Sequence, residues 1–370
     1  MASRQCGVLV RRREALPPTR GVPGITQGRY GDVGNLELVV ADDLDGFWVF
    51  WFNADAVEHY AGAARGAWSG GLHVPTGSRL DRVSIAQVPF GPDFLEVVAS
   101  SGRTRTRWYW TPAAGFVRGD ALPDGPSGNG LFASEDCVLY AGGVLCEAGT
   151  DEYPALAFRP RAGGPDLSSF VTTSLAVDGP GMMLAGLRPD GSAMLLTAAG
   201  GPPSSGPPFA CPPFAGPPSS WLGTEVAGSW RQLEVAGALE RACLLVGVDA
   251  SGELAFVRAV PSETTILPIG VRLPGPVEAL AVTMSSLDGG TVEIIARIGA
   301  GLHHVRVPLA DLLGGSASEV AGVVASEAAK VVASEAARPV VSEVVRVAVS
   351  EVVSDVWTAL PVPPTVHRRA

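Results

Sequence analysis

Short apolar runs, each closed by a polar turn and answered by a second apolar or aromatic run, recur along the chain. The clearest is Asn35-Leu36-Glu37-Leu38-Val39-Val40-Ala41, with near copies at Phe94-Leu95-Glu96-Val97-Val98-Ala99 and Thr291-Val292-Glu293-Ile294-Ile295-Ala296. Weaker echoes are Met183-Leu184-Ala185-Gly186-Leu187, running into Pro189-Asp190-Gly191, and Leu244-Leu245-Val246-Gly247-Val248, running into Asp249-Ala250-Ser251-Gly252. A run, a Gly or Asp-Gly turn and a returning run is the pattern of a β-hairpin. Anchored on Glu37, Glu96, Met182, Cys243 and Glu293, the spacings are 59, 86, 61 and 50 residues, and the longest has room for one more, degenerate unit over Gly130 to Pro160. About six repeats at this period predict an all-β fold, a β-propeller of six or seven four-stranded blades.

The repeats occupy residues 29–313. Residues 1–28 hold one apolar run, Val8-Leu9-Val10, between basic and Pro-rich stretches. They read as an N-terminal arm or a ring-closing strand, since a ring of repeats must hide its two terminal edges. Within the repeats, residues 201–220 carry a Pro pair every five residues. Proline lacks the amide that a sheet ladder needs, so this stretch reads as an exposed polyproline-like insertion. Residues 314–370 form a low-complexity tail in which Ser-Glu begins at Ser318, Ser326, Ser334, Ser342 and Ser350, with Ala and Val between. On a helix an eight-residue step drifts by about 80° per copy, which makes no coiled-coil seam. Two short helices, 317–338 and 340–356, broken at Pro339, are expected there, with disorder or a strand-like stack as the alternatives.

The net charge of −10, with no dense basic stretch beyond Arg11-Arg12-Arg13, supplies no phosphate-neutralising surface and disfavours nucleic-acid binding. Forty-six Gly and 31 Pro in a chain that is 46% hydrophobic fit many tight turns between short strands. No apolar run is long enough for a membrane span, and Met1 through Pro17 lacks the apolar stretch of a signal peptide. A cytoplasmic location is therefore expected, with non-classical release as the other route. The five Cys, an odd number, read as small packing residues, a Cys137–Cys146 bridge across a hairpin being the alternative.

Catalysis has little to work with. His303 and His304 are neighbours on a strand and point to opposite faces, one to solvent and one to a blade interface, so they cannot share a metal. Asp42, Asp43, Asp45, Asp190 and Asp249 fall in hairpin turns, where such side chains bond to the turn backbone. Glu37, Glu96 and Glu293 sit inside apolar strands at equivalent positions, and a buried carboxylate needs a partner. No nucleophile elbow, phosphate loop, Cys-x-x-Cys or dinucleotide fingerprint is present. These absences weigh against an enzyme without deciding the question, and no metal and no cofactor are expected. The aromatic residues of the first two repeats remain. Trp48, Trp51, Trp68, Trp108 and Trp110, with Asn53 as a polar neighbour, are the candidate sugar platforms; alternation places half of these rings in the core between blades.

These residues carry a resemblance. Gly34 to Val40, Trp51, Trp68-Ser69-Gly70, Val83 to Gln87 leading into Asp93 to Ala99, and Trp108-Tyr109-Trp110 are similar to bacterial fucose-binding β-propeller lectins and their uncharacterised relatives. Gly290 to Arg297 with Gly301-Leu302-His303-His304 resembles the same phrase. The resemblance implies about seven blades that bind monosaccharides in the grooves between them. Blades three, five and six lack most of the aromatics, so sugar binding is expected only in grooves flanked by the first two blades. The reading is a non-catalytic, lectin-like protein whose partner is a carbohydrate, fucose-type by resemblance. The alternatives are a protein-interaction scaffold with decayed sugar sites, and a sialidase-like glycoside hydrolase.

Overall fold

A computed structural model describes residues 19–27, 36–53, 67–87, 95–102, 104–111, 114–122, 127–128, 130–133, 138–141, 145–148, 159–160, 165–178, 181–198, 221–239, 242–260, 263–271, 273–287, 290–299, 301–313 and 358–359. The Pro-rich insertion, Cys137 and the two tail segments expected to be helical lie outside the described residues.

Six antiparallel meanders follow one another among the described residues. The first is β1 (Thr19–Gln27), β2 (Leu36–Asp42), β3 (Gly46–Asn53) and β4 (Ala67–Pro75); the second is β5 (Arg82–Gln87), β6 (Leu95–Ser101), β7 (Thr104–Thr111) and β8 (Gly115–Leu122). The short β9 (Ser127–Gly128) precedes the third, formed by β10 (Gly130–Ala133), β11 (Val138–Ala141), β12 (Leu145–Ala148) and β13 (Arg159–Pro160). The fourth is β14 (Thr172–Asp178), β15 (Gly181–Leu187), β16 (Ala193–Ala198) and β17 (Leu222–Val226). The fifth is β18 (Trp230–Leu239), β19 (Ala242–Asp249), β20 (Leu254–Val260) and β21 (Glu263–Leu267). The last holds β22 (Ala279–Ser285), β23 (Thr291–Ile298), β24 (Gly301–Pro308), the short helix α1 (Leu309–Leu312) and β25 (Thr358–Ala359).

Within each meander every strand bonds to the next in sequence. The first strands lie side by side in a closed cycle, β1 to β5 to β10 to β14 to β18 to β22 and back to β1. Two parallel bridges tie neighbours together. Val22 pairs with Arg82, which merges the first two meanders into one eight-stranded sheet, and β9 pairs with β14. The approach of β1 to β5 demands glycine. Gly21 has a φ of 65°, and a Cβ there would lie 1.9 Å from the Asp81 carbonyl oxygen; at Gly24 it would lie 2.8 Å from that of Val83.

The five anchors of the repeat, Glu37, Glu96, Met182, Cys243 and Glu293, all fall on second strands, and the degenerate unit coincides with β10 to β13. Second strands read as nearly unbroken apolar runs because neighbouring meanders cover both of their faces. On β19, Cys243 and Leu245 pack toward the fourth meander while Leu244, Val246 and Val248 pack toward the last. Burying a Leu or Val side chain in this way contributes roughly 1.5–3 kcal/mol. The described apolar clusters therefore straddle the junctions between meanders.

Two ends differ from expectation in detail. Residues 19–27 bond to β2 inside the first sheet, so their contribution to closure is to pack beside β22 of the last. At the other end, residues 358–359 pair with His303 and His304, so the tail supplies an outer strand to the last sheet. No helix among the described residues is long and apolar enough to cross a membrane.

Candidate functional site

The carboxylates of the repeated phrase build the junctions. Glu37, Glu96 and Glu293 are all buried. Each faces a third-strand residue in register: Trp51, Tyr109 and Arg306 respectively. Alternation puts each Glu on the face turned toward the following meander, since Val39 packs against the second meander and Ile295 against the first.

A buried carboxylate in an apolar strand is tenable only with charged or multiple hydrogen-bond partners. Glu96 has them in Arg107, which donates through Nε to Oε2 at 2.7 Å and through Nη2 to Oε1 at 2.6 Å. The guanidinium carbon lies 4.7 Å from the Tyr109 ring centroid. Glu293 accepts from Ser285 Oγ at 2.9 Å, Thr291 Oγ1 at 2.5 Å, His304 Nε2 at 2.7 Å and the Arg306 guanidinium at 3.1–3.2 Å. Burial pushes the Glu293 carboxyl up, but the His304 hydrogen bond and the charge and hydrogen bonds of Arg306 outweigh it and bring it down to about 2.

At the junction of the last meander with the first, this cluster meets aromatic rings. Trp68 Nε1 donates to His304 Nδ1 at 3.2 Å, which leaves Nε2 carrying the proton that it gives to Glu293. Phe52 and Trp68 lie 5.5 Å apart, and the Arg306 guanidinium carbon sits 5.4 Å from the Phe52 centroid. Arg306 is the member that meets solvent, with its side chain 27% exposed.

The next junction repeats the plan. Glu37 and Trp51 stand on its first-meander side. Trp110, one residue beyond the Glu96 partner Tyr109 just as Phe52 follows the Glu37 partner Trp51, pairs in register with Phe116 as Phe52 does with Trp68. The Trp110 and Phe116 rings are 5.2 Å apart, and Phe116 is half-buried. Two consecutive junctions thus set a buried carboxylate opposite an aromatic pair.

The structure gathers the sequence-predicted residues here but covers them. Of Trp48, Trp51, Trp68, Trp108 and Trp110 none exceeds 8% exposure, so none presents an open ring face. The Asn53 backbone pairs with Ala67 at the end of β3. Of the two adjacent histidines, His304 takes the interface and His303 is half-buried. Of the carboxylate partners, His304 was expected at an interface but not as a partner of Glu293, and Arg107, Arg306 and the ring of Phe52 were not singled out from sequence. A signal existed: a Glu in an apolar strand requires a donor, and the returning strand of its own hairpin is the nearest place for one.

Three of the five turn aspartates bond to their own turn backbone as expected. Asp42 Oδ1 accepts from the amides of Leu44 and Gly46, Asp190 from Ser192, and Asp249 from Ser251 and Glu253. Asp43 pairs instead with Arg79, while Asp45 receives Thr76 and Gly77 at its carbonyl. Asp42, Asp45 and His73 bring ligand-type atoms within 4.8 Å of one another. Both Asp42 oxygens are already engaged, Oδ2 with His73 Nε2 at 2.6 Å. Burial raises the Asp42 carboxyl, but the bonds from His73, Gly46 and Leu44 leave it below the usual range. Cys243 is a buried thiol that desolvation holds protonated.

No family model and no curated protein sequence matches the chain. Solved structures do resemble it in shape. AofleA from Arthrobotrys oligospora matches with a TM-score of 0.51 at 10% identity, over 80% of this chain and 84% of that one. The Aleuria aurantia lectin in complex with Fucα1-6GlcNAc matches with a TM-score of 0.51 at 8% identity, over 80% of this chain and 93% of that one. The fucose-specific lectin from Aleuria aurantia, in a mercury-derivative form, matches with a TM-score of 0.50 at 9% identity over the same shares. At such identities the likeness speaks for the fold, and the chain has the nearly all-β, propeller-type fold of these lectins.

Proposed function

We propose that the chain is a non-catalytic, carbohydrate-binding β-propeller of six blades, one per meander, that takes fucose-type monosaccharides at the junctions flanking its first blade. The observation that carries this reading is the repeated junction, in which a carboxylate of one meander faces the pair Phe52 and Trp68 or the pair Trp110 and Phe116 of the next. Sugars need that mixture: an aromatic ring to lie against the C–H face and charged groups for the hydroxyls. Likeness in fold to lectins named for fucose supports it. In this reading Trp68 and Trp110 wall the sites, Arg306 and Phe116 form their solvent-facing parts, and Trp48, Trp51 and Trp108 pack the junctions behind them. Hydrolysis is disfavoured by the chemistry of Glu293, because a general acid needs a raised carboxyl and this one is held low.

Each site should be weak. A methyl fucoside has about twelve heavy atoms, and at roughly 0.3–0.4 kcal/mol per atom the affinity is near millimolar. Calorimetric or NMR titration with methyl α-L-fucoside tests the assignment. Phe116→Ala, at a half-buried ring, should abolish or weaken binding at the second junction at least tenfold while leaving the fold intact. Trp110→Ala is a poorer test, since removing a buried Trp costs about 3–5 kcal/mol and reports on folding. An unchanged titration for Phe116→Ala would remove that junction from the proposal.

A further inference from the structure

The first strands bring polar side chains together at the hub of the ring. Arg82 on β5 donates through Nη2 to Glu234 Oε1 on β18 at 2.6 Å, and both residues are buried. This pair joins the second meander to the fifth, which are not neighbours in the cycle. Gln232 extends it, donating to Glu234 Oε1 at 2.6 Å and to the Leu280 carbonyl at 2.7 Å, and accepting from the Leu280 amide at 2.9 Å. Ser174 Oγ on β14 accepts from the Val235 amide at 2.8 Å. Three meanders thus meet in one network, and Ser174 ties a fourth to the same strand.

The network leaves polar atoms over. Arg82 Nε and Nη1, Glu234 Oε2, Ser84 Oγ and Ser100 Oγ are buried without a hydrogen-bond partner among the described residues. Arg82, Ser84 and Ser100 share one face of the second meander, because Ser84 is two residues beyond Arg82 on β5 and Ser100 is the register partner of Arg82 on β6. The opposite face carries Val83, Ile85 and Ala99 into the apolar core shared with the first meander. The nearby Arg105 and Arg107 on β7 have interactions of their own.

Buried donors and acceptors in native proteins are satisfied, and an exception calls for a bound species. Charge decides which kind. Arg82 and Glu234 neutralise each other, and Arg105, the buried register partner of Ser100, has an interaction of its own, so an added ion would meet no unpaired countercharge among these groups. The occupant must be neutral, must accept from Arg82 and must donate to Glu234 Oε2. A hydroxylic molecule does both, and water is the one small enough for a site closed to solvent. We propose that Arg82, Ser84, Ser100 and Glu234 form an interior hydration site that holds about two long-lived water molecules, each making about three hydrogen bonds. The Arg82–Glu234 pair is then a hydrated cross-hub tie. This inference is independent of any sugar binding.

Oxygen-17 relaxation dispersion counts long-lived waters in the intact chain, and a high-resolution crystal structure with a bromide soak identifies the occupant. Ordered density about 2.7–3.2 Å from Arg82 Nε and from a Ser84 or Ser100 hydroxyl is expected, with no anomalous bromide signal. The dispersion amplitude should drop by about two waters in Arg82→Met/Glu234→Leu. Should that variant fail to fold, Ser84→Ala/Ser100→Ala, which spares the ion pair, should still lower the amplitude. Protein atoms filling the space, a bromide peak at Arg82, or equal amplitudes in wild type and the folded variants would overturn the proposal.

Discussion

Glu96→Leu is expected to destabilise the protein by about 3–5 kcal/mol, the cost of stranding a buried cation. Both Glu96 and Arg107 are buried, and two hydrogen bonds of 2.6 and 2.7 Å join them in a bidentate pair. Arg107 cannot swing out to water cheaply. It lies against Tyr109, and it fits so closely over Gly119 that a Cβ there would approach Nη1 to 3.3 Å. Removing the carboxylate therefore takes a bidentate charged partner from a buried guanidinium. Glu96→Leu/Arg107→Met should recover most of the loss, because replacing both members of a buried pair by apolar groups of similar volume is often neutral or stabilising. Urea denaturation of the two variants decides it. A single variant within about 1 kcal/mol of wild type, or a double variant worse than the single, would contradict this account of the pair.

Acid should loosen the seam between the last and first meanders, and Glu293 should be the main cause. Its carboxyl is brought from an ordinary value near 4.5 down to about 2. A depressed carboxyl stabilises the fold fully above the unfolded value and loses that contribution as pH falls through the folded one. The loss should therefore unfold between about pH 4.5 and pH 2 and amount to about 3 kcal/mol. Glu293→Gln should already lack that stability at neutral pH and should show a flatter profile below pH 4.5. Asp42 is also held low and contributes to the acid limb in both proteins, so the difference between the two profiles isolates Glu293. Urea midpoints measured from neutral pH to pH 2 provide the comparison; parallel profiles would show that the His304 and Arg306 contacts do not hold the carboxylate.

The repeat was legible because its signal is local. Each unit writes its second strand as an apolar run and its turn as an Asp or Gly, as with Asp249 and the run from Cys243 to Val248, and both are fixed by contacts within one hairpin. Exposure was not legible. Alternation separates Phe47 from Trp48 on β3, but in a ring of meanders both faces of a strand meet a neighbour, and both rings are buried, one against the second meander and one against the last. Period-two patterning names two faces without saying which is wet. The cross-hub pair of Arg82 and Glu234, 152 residues apart, and the pairing of Thr358–Ala359 with β24 were hidden for another reason. They depend on closure of the whole cycle, and no local spacing encodes it.

A crystal structure of the protein soaked with methyl α-L-fucoside examines the carbohydrate reading most directly. Sugar density should lie at the junction lined by Arg306, Phe52 and Trp68, at the one lined by Trp110 and Phe116, or at both, with hydroxyls in hydrogen-bond contact with a charged side chain of the junction. Saturating sugar that leaves both junctions unoccupied, or binds only elsewhere on the ring, would contradict it.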